Sequence, residues 1–330
     1  MSRYRLFWRS FLGLAAAVIG LAASARPALA HDGGPHDGPW WTAWSLEPAV
    51  LLLLGGSLLF YLRGRAWMAR RAGGAGGPAR GRVWAFAMGM AALALALLSP
   101  VDAMAGELFW VHMLQHNLLI LVAAPLLVLA YPLPPMLLGL PAGARRGLGL
   151  AWSRLGVLRG LWKGVSSPPA AWLLHALLLW AWHSPVLYQA ALENEALHAL
   201  EHFSFLGSAL LFWWVALHTY GVRPAYRGLG VLYVFTTALQ SGFLGALLTF
   251  STRLWYPIYL GRSEAWGISA LADQQLAGTI MWVPSGLVYL VAALWLLKSW
   301  IESIESKESV VLRDGAVRKD GTARNNAVND

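Results

Sequence analysis

The chain has 330 residues, of which 58% are hydrophobic and only 12% charged, with no cysteine and a formal net charge of +9. A soluble domain carries about a quarter charged residues, so this is the composition of an integral membrane protein, and the lack of cysteine excludes disulfides, thiolate metal sites and a thiol nucleophile. The basic residues sit mainly in short segments between apolar runs, a pattern of membrane topology and not of nucleic-acid binding.

Arg3, Arg5 and Arg9 precede an apolar stretch from Phe11 to Ala23, and a small-residue segment ends at Ala28-Leu29-Ala30. A basic start, a short apolar centre and an Ala-x-Ala site describe a secretory signal peptide over 1–30, with an uncleaved anchor as the alternative. Residues 31–45 read as an exposed extracytoplasmic arm. It holds His31, Asp32, His36 and Asp37, and an amino-terminal histidine is able to chelate Cu(II), although solvated arms often carry such residues.

Seven apolar runs follow over 46–297, each near the roughly 20 residues of a spanning helix. They cover 46–62, 83–99, 110–131, 170–182, 196–218, 229–250 and 271–297. The fourth is short unless it begins in the preceding loop or continues beyond His183. Gly55, Gly56, Gly242 and Gly245 are expected to allow close helix packing, and Pro125 and Pro284 to kink their spans. The polar segment 298–330 reads as a cytoplasmic tail without regular structure.

Arg63, Arg65, Arg70, Arg71, Arg80 and Arg82 fill the first loop, and Arg145, Arg146, Arg154, Arg159 and Lys163 the third. Arg223 and Arg227 follow the fifth run. The alternate loops hold Asp102, Glu107, Glu193, Glu195 and Glu264 against Arg253 and Arg262. The positive-inside rule therefore predicts seven spans, a mature amino terminus outside and a cytoplasmic carboxyl terminus. The expected architecture is an all-α, seven-helix bundle in the cytoplasmic membrane.

With that topology, chemistry-bearing residues gather at the outer ends of the spans. His112 and His116 enter the third run, four residues apart, so on a helix they share one face about 6 Å apart, a spacing at which two imidazoles can hold one metal. His183 closes the fourth run, and His198, Glu201 and His202 open the fifth, its histidines again four apart. Asp273 and Gln274 stand at the start of the seventh. Ionisable groups at membrane depth face a bundle interior, a cavity or a ligand. Imidazole suits Cu, Zn, Fe and Ni, and thioether, available from Met104, Met113 and Met281, adds a preference for Cu(I). Copper on these histidines is the sharpest reading.

Plainer readings stand beside it. One His-x-x-x-His pair often reflects separate hydrogen bonds; two pairs at one depth, with His183 between them in sequence, favour a shared site. His175, about 12 Å deeper than His183 at 1.5 Å per residue, reads as a packed histidine bonded to a neighbouring helix, and His218 as a headgroup-level residue. Asp273 reads either as a cap of its own helix or as support for a ligand. Met113 and Met281 read as core filling or ligands.

Several segments together resemble the multi-spanning CtaG family of cytochrome c oxidase assembly factors, associated with caa-type oxidases. They are His112-Met113-Leu114-Gln115-His116, Trp182-His183-Ser184-Pro185, the His198 to His202 segment, and Asp273-Gln274-Gln275-Leu276-Ala277-Gly278 with Met281-Trp282. The resemblance runs from about Trp40 to Leu297. It implies a plasma-membrane protein that helps assemble an active oxidase by helping to metallate a copper centre, with an oxidase subunit as partner. It also implies that His112, His116, His183, His198 and His202 are the functional residues, with Asp273 and Gln274 supporting them.

The expectation is therefore a non-enzymatic copper-binding assembly factor with lipid as its surroundings and no nucleic-acid partner. A haem-binding electron-transfer protein is the alternative, since histidines on two helices can ligate haem axially. A copper or proton transporter using His175 as a relay ranks last, because beyond Asn117 the third run offers no polar path. The oligomeric state stays open.

Overall fold

A computed structural model describes residues 39–71, 77–220 and 226–326, with side chains described as far as 305. The expected signal peptide and the histidine-bearing part of the arm lie outside the described residues. The regular structure of those residues is all helix, with no strand among them. Six helices are long and apolar enough to cross a membrane. They are α1 (Pro48–Arg71), α2 (Arg80–Leu97), α4 (Phe109–Ala130), α10 (Glu195–Tyr220), α11 (Arg227–Thr249) and α13 (Ala270–Asn326). Between them lie α3 (Pro100–Ala105), α5 (Leu133–Gly139), α6 (Ala142–Arg154), α7 (Gly156–Val165), α8 (Pro168–Trp182), α9 (Pro185–Glu193) and α12 (Arg262–Ala265).

The fourth apolar run is where the helix pattern departs from a simple span. It starts in the preceding loop at Pro168, then breaks at His183-Ser184, and α9 leaves at 73° to α8. Pro185 supplies the reason: it has no N–H to continue the ladder and biases the residue before it towards extended backbone, and Ser184 has ψ 134°. By length and composition α8 and α9 together have the character of a broken span or a re-entrant loop. The break leaves His183 at the helix end with its backbone carbonyl free, and the Tyr256 hydroxyl donates to it at 2.6 Å.

The two prolines inside spans are each answered by a side chain from a neighbouring helix. Pro125 follows a wide π-turn at Leu118–Ala123, where bonds run from i to i+5. In that register the Ile120 carbonyl would pair with position 125, which has no N–H, and Trp213 Nε1–H donates to it instead at 2.9 Å. Pro284 removes the bond to the Ile280 carbonyl, and Asn117 Nδ2–H takes it at 2.7 Å. Asn117 thus ties α4 to α13 at the depth where α13 has lost a ladder bond.

Glycine governs two close approaches. A Cβ on Gly64 of α1 would fall on the Pro135 carbonyl of α5, and one on Gly139 on the Phe60 carbonyl. Gly245 of α11 and Gly278 of α13 meet similarly, with a Cβ on Gly278 landing 2.5 Å from the Thr249 nitrogen. Gly242 abuts Trp282 as expected, whereas Gly55 and Gly56 face open space and pack nothing. Because backbone cannot retreat as a side-chain tip does, Gly64→Ala is expected to cost at least the roughly 1–3 kcal/mol of overpacking. A lowered thermal midpoint in detergent, with Gly55→Ala unchanged, checks it.

The carboxyl-terminal segment differs from expectation. It continues α13 as helix to Asn326, and Lys298 and Glu302, one turn apart, pair at 3.9 Å, the i,i+4 arrangement that supports an exposed helix.

Candidate metal centre

α4 carries His112 and His116 on one face, and α10 brings His198, Glu201 and His202 against it. The positions 198, 201 and 202 share a helix face because i, i+3 and i+4 side chains stack over one another. The rings of His112 and His116 lie 4.4 Å apart, those of His198 and His202 4.2 Å, and across the helices His112 is 5.4 Å from His198 and His116 5.6 Å from His202. Glu201 lies between the pairs, its carboxylate 3.8 Å from His112 Nε2 and 3.6 Å from His116 Nε2. His112 and Glu201 are fully buried and His116 almost so.

These polar groups do not satisfy one another. Both ring nitrogens of His112 and of His116, Nε2 of His198 and of His202, and both Glu201 oxygens lack a hydrogen-bond partner. The Ala105 carbonyl lies beside the His112 ring but outside hydrogen-bond geometry. Buried polar atoms are ordinarily paired, and a cluster of orphans calls for a ligand of another kind. Donor atoms of His112, His116 and His202 lie within 4.8 Å of one another, as do those of His112, His198 and Glu201. Ligands of a tetrahedral ion with bonds of about 2.0–2.1 Å stand about 3.3 Å apart, so modest ring rotations would close either set on one ion.

His183 belongs to neither set. Its ring is 6.2 Å from that of His116, its Nδ1–H donates to the Leu179 carbonyl at 2.7 Å, and its Nε2 faces Met113 Sδ at 3.4 Å. The break before Pro185 turns it away from the cluster. Met281 is buried and lines, with Met113, His116 and His183, a cavity of about 20 Å³. His175 bonds Ser208 of α10 at 3.0 Å and stacks on Phe212, a packed histidine as expected. His218 stacks on Trp214 at 3.8 Å.

The acidic and amide residues at the start of α13 do something other than touch the histidines. Asp273 caps neither its own helix nor a ring nitrogen. Its two oxygens accept the backbone N–H groups of Phe109 and Trp110, each at 2.9 Å, and Ser263 Oγ–H donates to it at 2.6 Å. It is therefore a buried cap on the amino terminus of α4, and a carboxylate there also meets the positive end of the helix dipole. Gln274 holds the loop before α12, accepting Trp255 N–H at 2.7 Å and donating to the Arg253 carbonyl at 3.0 Å. That loop carries Tyr256 and Tyr259. Tyr259 donates to the Ala105 carbonyl at 3.0 Å and sits 2.7 Å from the Tyr188 hydroxyl, and the Tyr188 ring is 5.0 Å from His112. Gln274 thus acts on the site through an aromatic roof.

The same roof is braced by Glu264. Its carboxylate accepts the Ala270 N–H at 3.1 Å and the Gly261 N–H at 2.6 Å, and these backbone donors hold it below the usual carboxylate range. Gln115, the central polar residue between the α4 histidines, points away from them. It donates to the Ala96 carbonyl at 2.8 Å and to Asp102 at 2.7 Å, joining α4 to α2 and α3. The residue that sequence reasoning left out of the site is Glu201. The signal was its place in His198-x-x-Glu201-His202, which puts a carboxylate on the imidazole face.

No solved structure matches this chain. It is similar to the uncharacterized protein Mb0105 of Mycobacterium bovis, 29% identical over 233 residues, which are 67% of this chain and 34% of that one. It is also similar to the uncharacterized protein ML1998 of Mycobacterium leprae, 26% identical over 277 residues, 81% of this chain and 40% of that one. The chain thus spans about a third to two fifths of the length of these relatives. The model of the cytochrome c oxidase caa3 assembly factor family (Caa3_CtaG) matches residues 59–303, from α1 into α13 and across every residue of the histidine cluster, and the chain belongs to that family.

Proposed function

We propose that this protein serves cytochrome c oxidase assembly by binding copper between α4 and α10 and passing it to an oxidase subunit, without bond-making catalysis. The observation that carries the reading is the set of buried His112, His116 and Glu201 with half-buried His198 and His202, in which both ring nitrogens of His112 and His116, Nε2 of His198 and His202 and both Glu201 oxygens have no hydrogen-bond partner. Four imidazoles and one carboxylate suit a borderline divalent ion such as Cu(II), and the single negative charge of Glu201 offsets part of the ion's charge in a dry setting. A haem would need axial ligands on opposite sides of a flat macrocycle; here the donors of each triad converge within 4.8 Å, which suits one small ion.

The site's place relative to the membrane follows from charge. The basic loops before α2 and across α6 and α7 would lie in the cytoplasm under the positive-inside rule. With α8 and α9 counted as one bent span, the bundle is seven-pass and the cluster opens on the outer side, where an oxidase copper centre would receive the metal. The paired variant His112→Ala/His116→Ala is expected to lose copper from purified protein while still inserting in the membrane and eluting as wild type. Unchanged copper per chain in that variant would overturn the reading.

A further inference from the structure

Among the described residues, His183 and Met113 are a second place where buried metal-donor atoms face one another. The Leu179 carbonyl can only accept, so the 2.7 Å bond from His183 fixes the hydrogen on Nδ1. In a neutral ring Nε2 then carries a lone pair. Glu201 lies nearest His112 and His116, and among the described residues no carboxylate is hydrogen-bonded to His183 to compensate a charged imidazolium there. The partner of Nε2 is a thioether sulfur, itself an acceptor, at 3.4 Å. Two lone pairs aimed at each other in a buried site are reconciled by a Lewis acid.

The geometry fits one. With metal–nitrogen and metal–sulfur bonds of about 2.0 and about 2.3 Å, donors 3.4 Å apart subtend about 105° at the ion, near the tetrahedral angle. The cavity beside the pair, about 20 Å³, has room for one ion and is lined also by Met281 and His116. Thioether with imidazole, and no carboxylate among the lining residues, selects a soft monovalent d10 ion over a divalent one. The same site is tied to the first by His116, which takes part in the triad above and lines the cavity below.

We infer that His183 and Met113, with Met281 beside them, form a second, soft metal site for a monovalent coinage-metal ion, Cu(I) in the cell. The inference extends the copper reading above to a neighbouring station of different ligand chemistry. No electron transfer between the two stations is part of it.

The test uses the full chain in detergent, with Ag(I) as a redox-inert probe of the soft site and Cu(II) as the probe of the histidine–carboxylate site. The wild type is expected to bind Ag(I) with a sulfur shell in its X-ray absorption spectrum, and that sulfur belongs to methionine because the chain has no cysteine. Met113→Leu, which conserves volume, is expected to weaken Ag(I) binding about 100-fold and remove the sulfur shell, with Cu(II) uptake unchanged. His112→Ala/His198→Ala, at positions outside the cavity, is expected to do the reverse. Ag(I) held by nitrogen alone, or unaltered by Met113→Leu, overturns the soft site. Ag(I) binding in a wild type that takes up no Cu(II) would instead overturn the first reading and leave this one standing.

Discussion

Asp273→Ala is expected to destabilise the protein by about 3 kcal/mol or more and to weaken metal binding along with it. The carboxylate is fully buried and satisfies the N–H groups of Phe109 and Trp110 together with the Ser263 hydroxyl. Each buried donor left without a partner costs about 1–3 kcal/mol, and loss of a helix cap alone about 0.5–2 kcal/mol. The effect reaches the site because His112 lies one turn into α4, so fraying of that first turn moves a ligand. Asp273→Asn keeps an acceptor but loses the charge at the helix terminus, and is expected to cost less. Thermal midpoints in detergent, measured beside copper affinity, check both. An Asp273→Ala variant with the wild-type midpoint would contradict the capping role.

Glu201→Gln is expected to act in the opposite direction on stability. Both carboxylate oxygens are buried without hydrogen bonds, so in the metal-free protein an amide of the same shape removes the penalty of an uncompensated acid. The variant should unfold at the wild-type temperature or above it. Copper affinity should fall about 100-fold, the upper end of what loss of an outer-shell partner brings, because the carboxylate that lies against both His112 and His116 is gone. This split is the signature of a residue kept for binding at the expense of the fold. Glu201→Gln with unchanged copper affinity would remove Glu201 from the site.

Much of the arrangement was legible in local spacing. The apolar runs start within three residues of the helices, although the first helix continues past the first run to Arg71 and the last past the seventh run to Asn326, and 3.6 residues per turn puts each four-residue histidine pair on one helix face. What local spacing does not encode is partnership across the bundle. Asp273 reads as a cap of its own helix, yet its donors lie 164 and 163 residues away on α4. Gln274 reads as support for a ligand and instead pins the loop that carries Tyr256 and Tyr259. His183 reads as a fifth ligand of one cluster, but the break imposed by Pro185 turns its ring to Met113. Glu201 stands in the sequence beside His198 and His202, but only the opposing face of α4 makes it a buried carboxylate against His112 and His116. Asn117 gains its role from Pro284, a residue on another helix whose missing N–H is a tertiary matter.

The proposed site would hold one copper ion among imidazoles and a carboxylate between α4 and α10. Electron paramagnetic resonance of the purified wild-type protein loaded with Cu(II), beside metal analysis and an optical spectrum, tests it most directly. The expected result is copper with superhyperfine splitting from several imidazole nitrogens, lost in His112→Ala/His116→Ala, and no Soret band. A signal from oxygen ligands alone, or a Soret band with no copper, would contradict it.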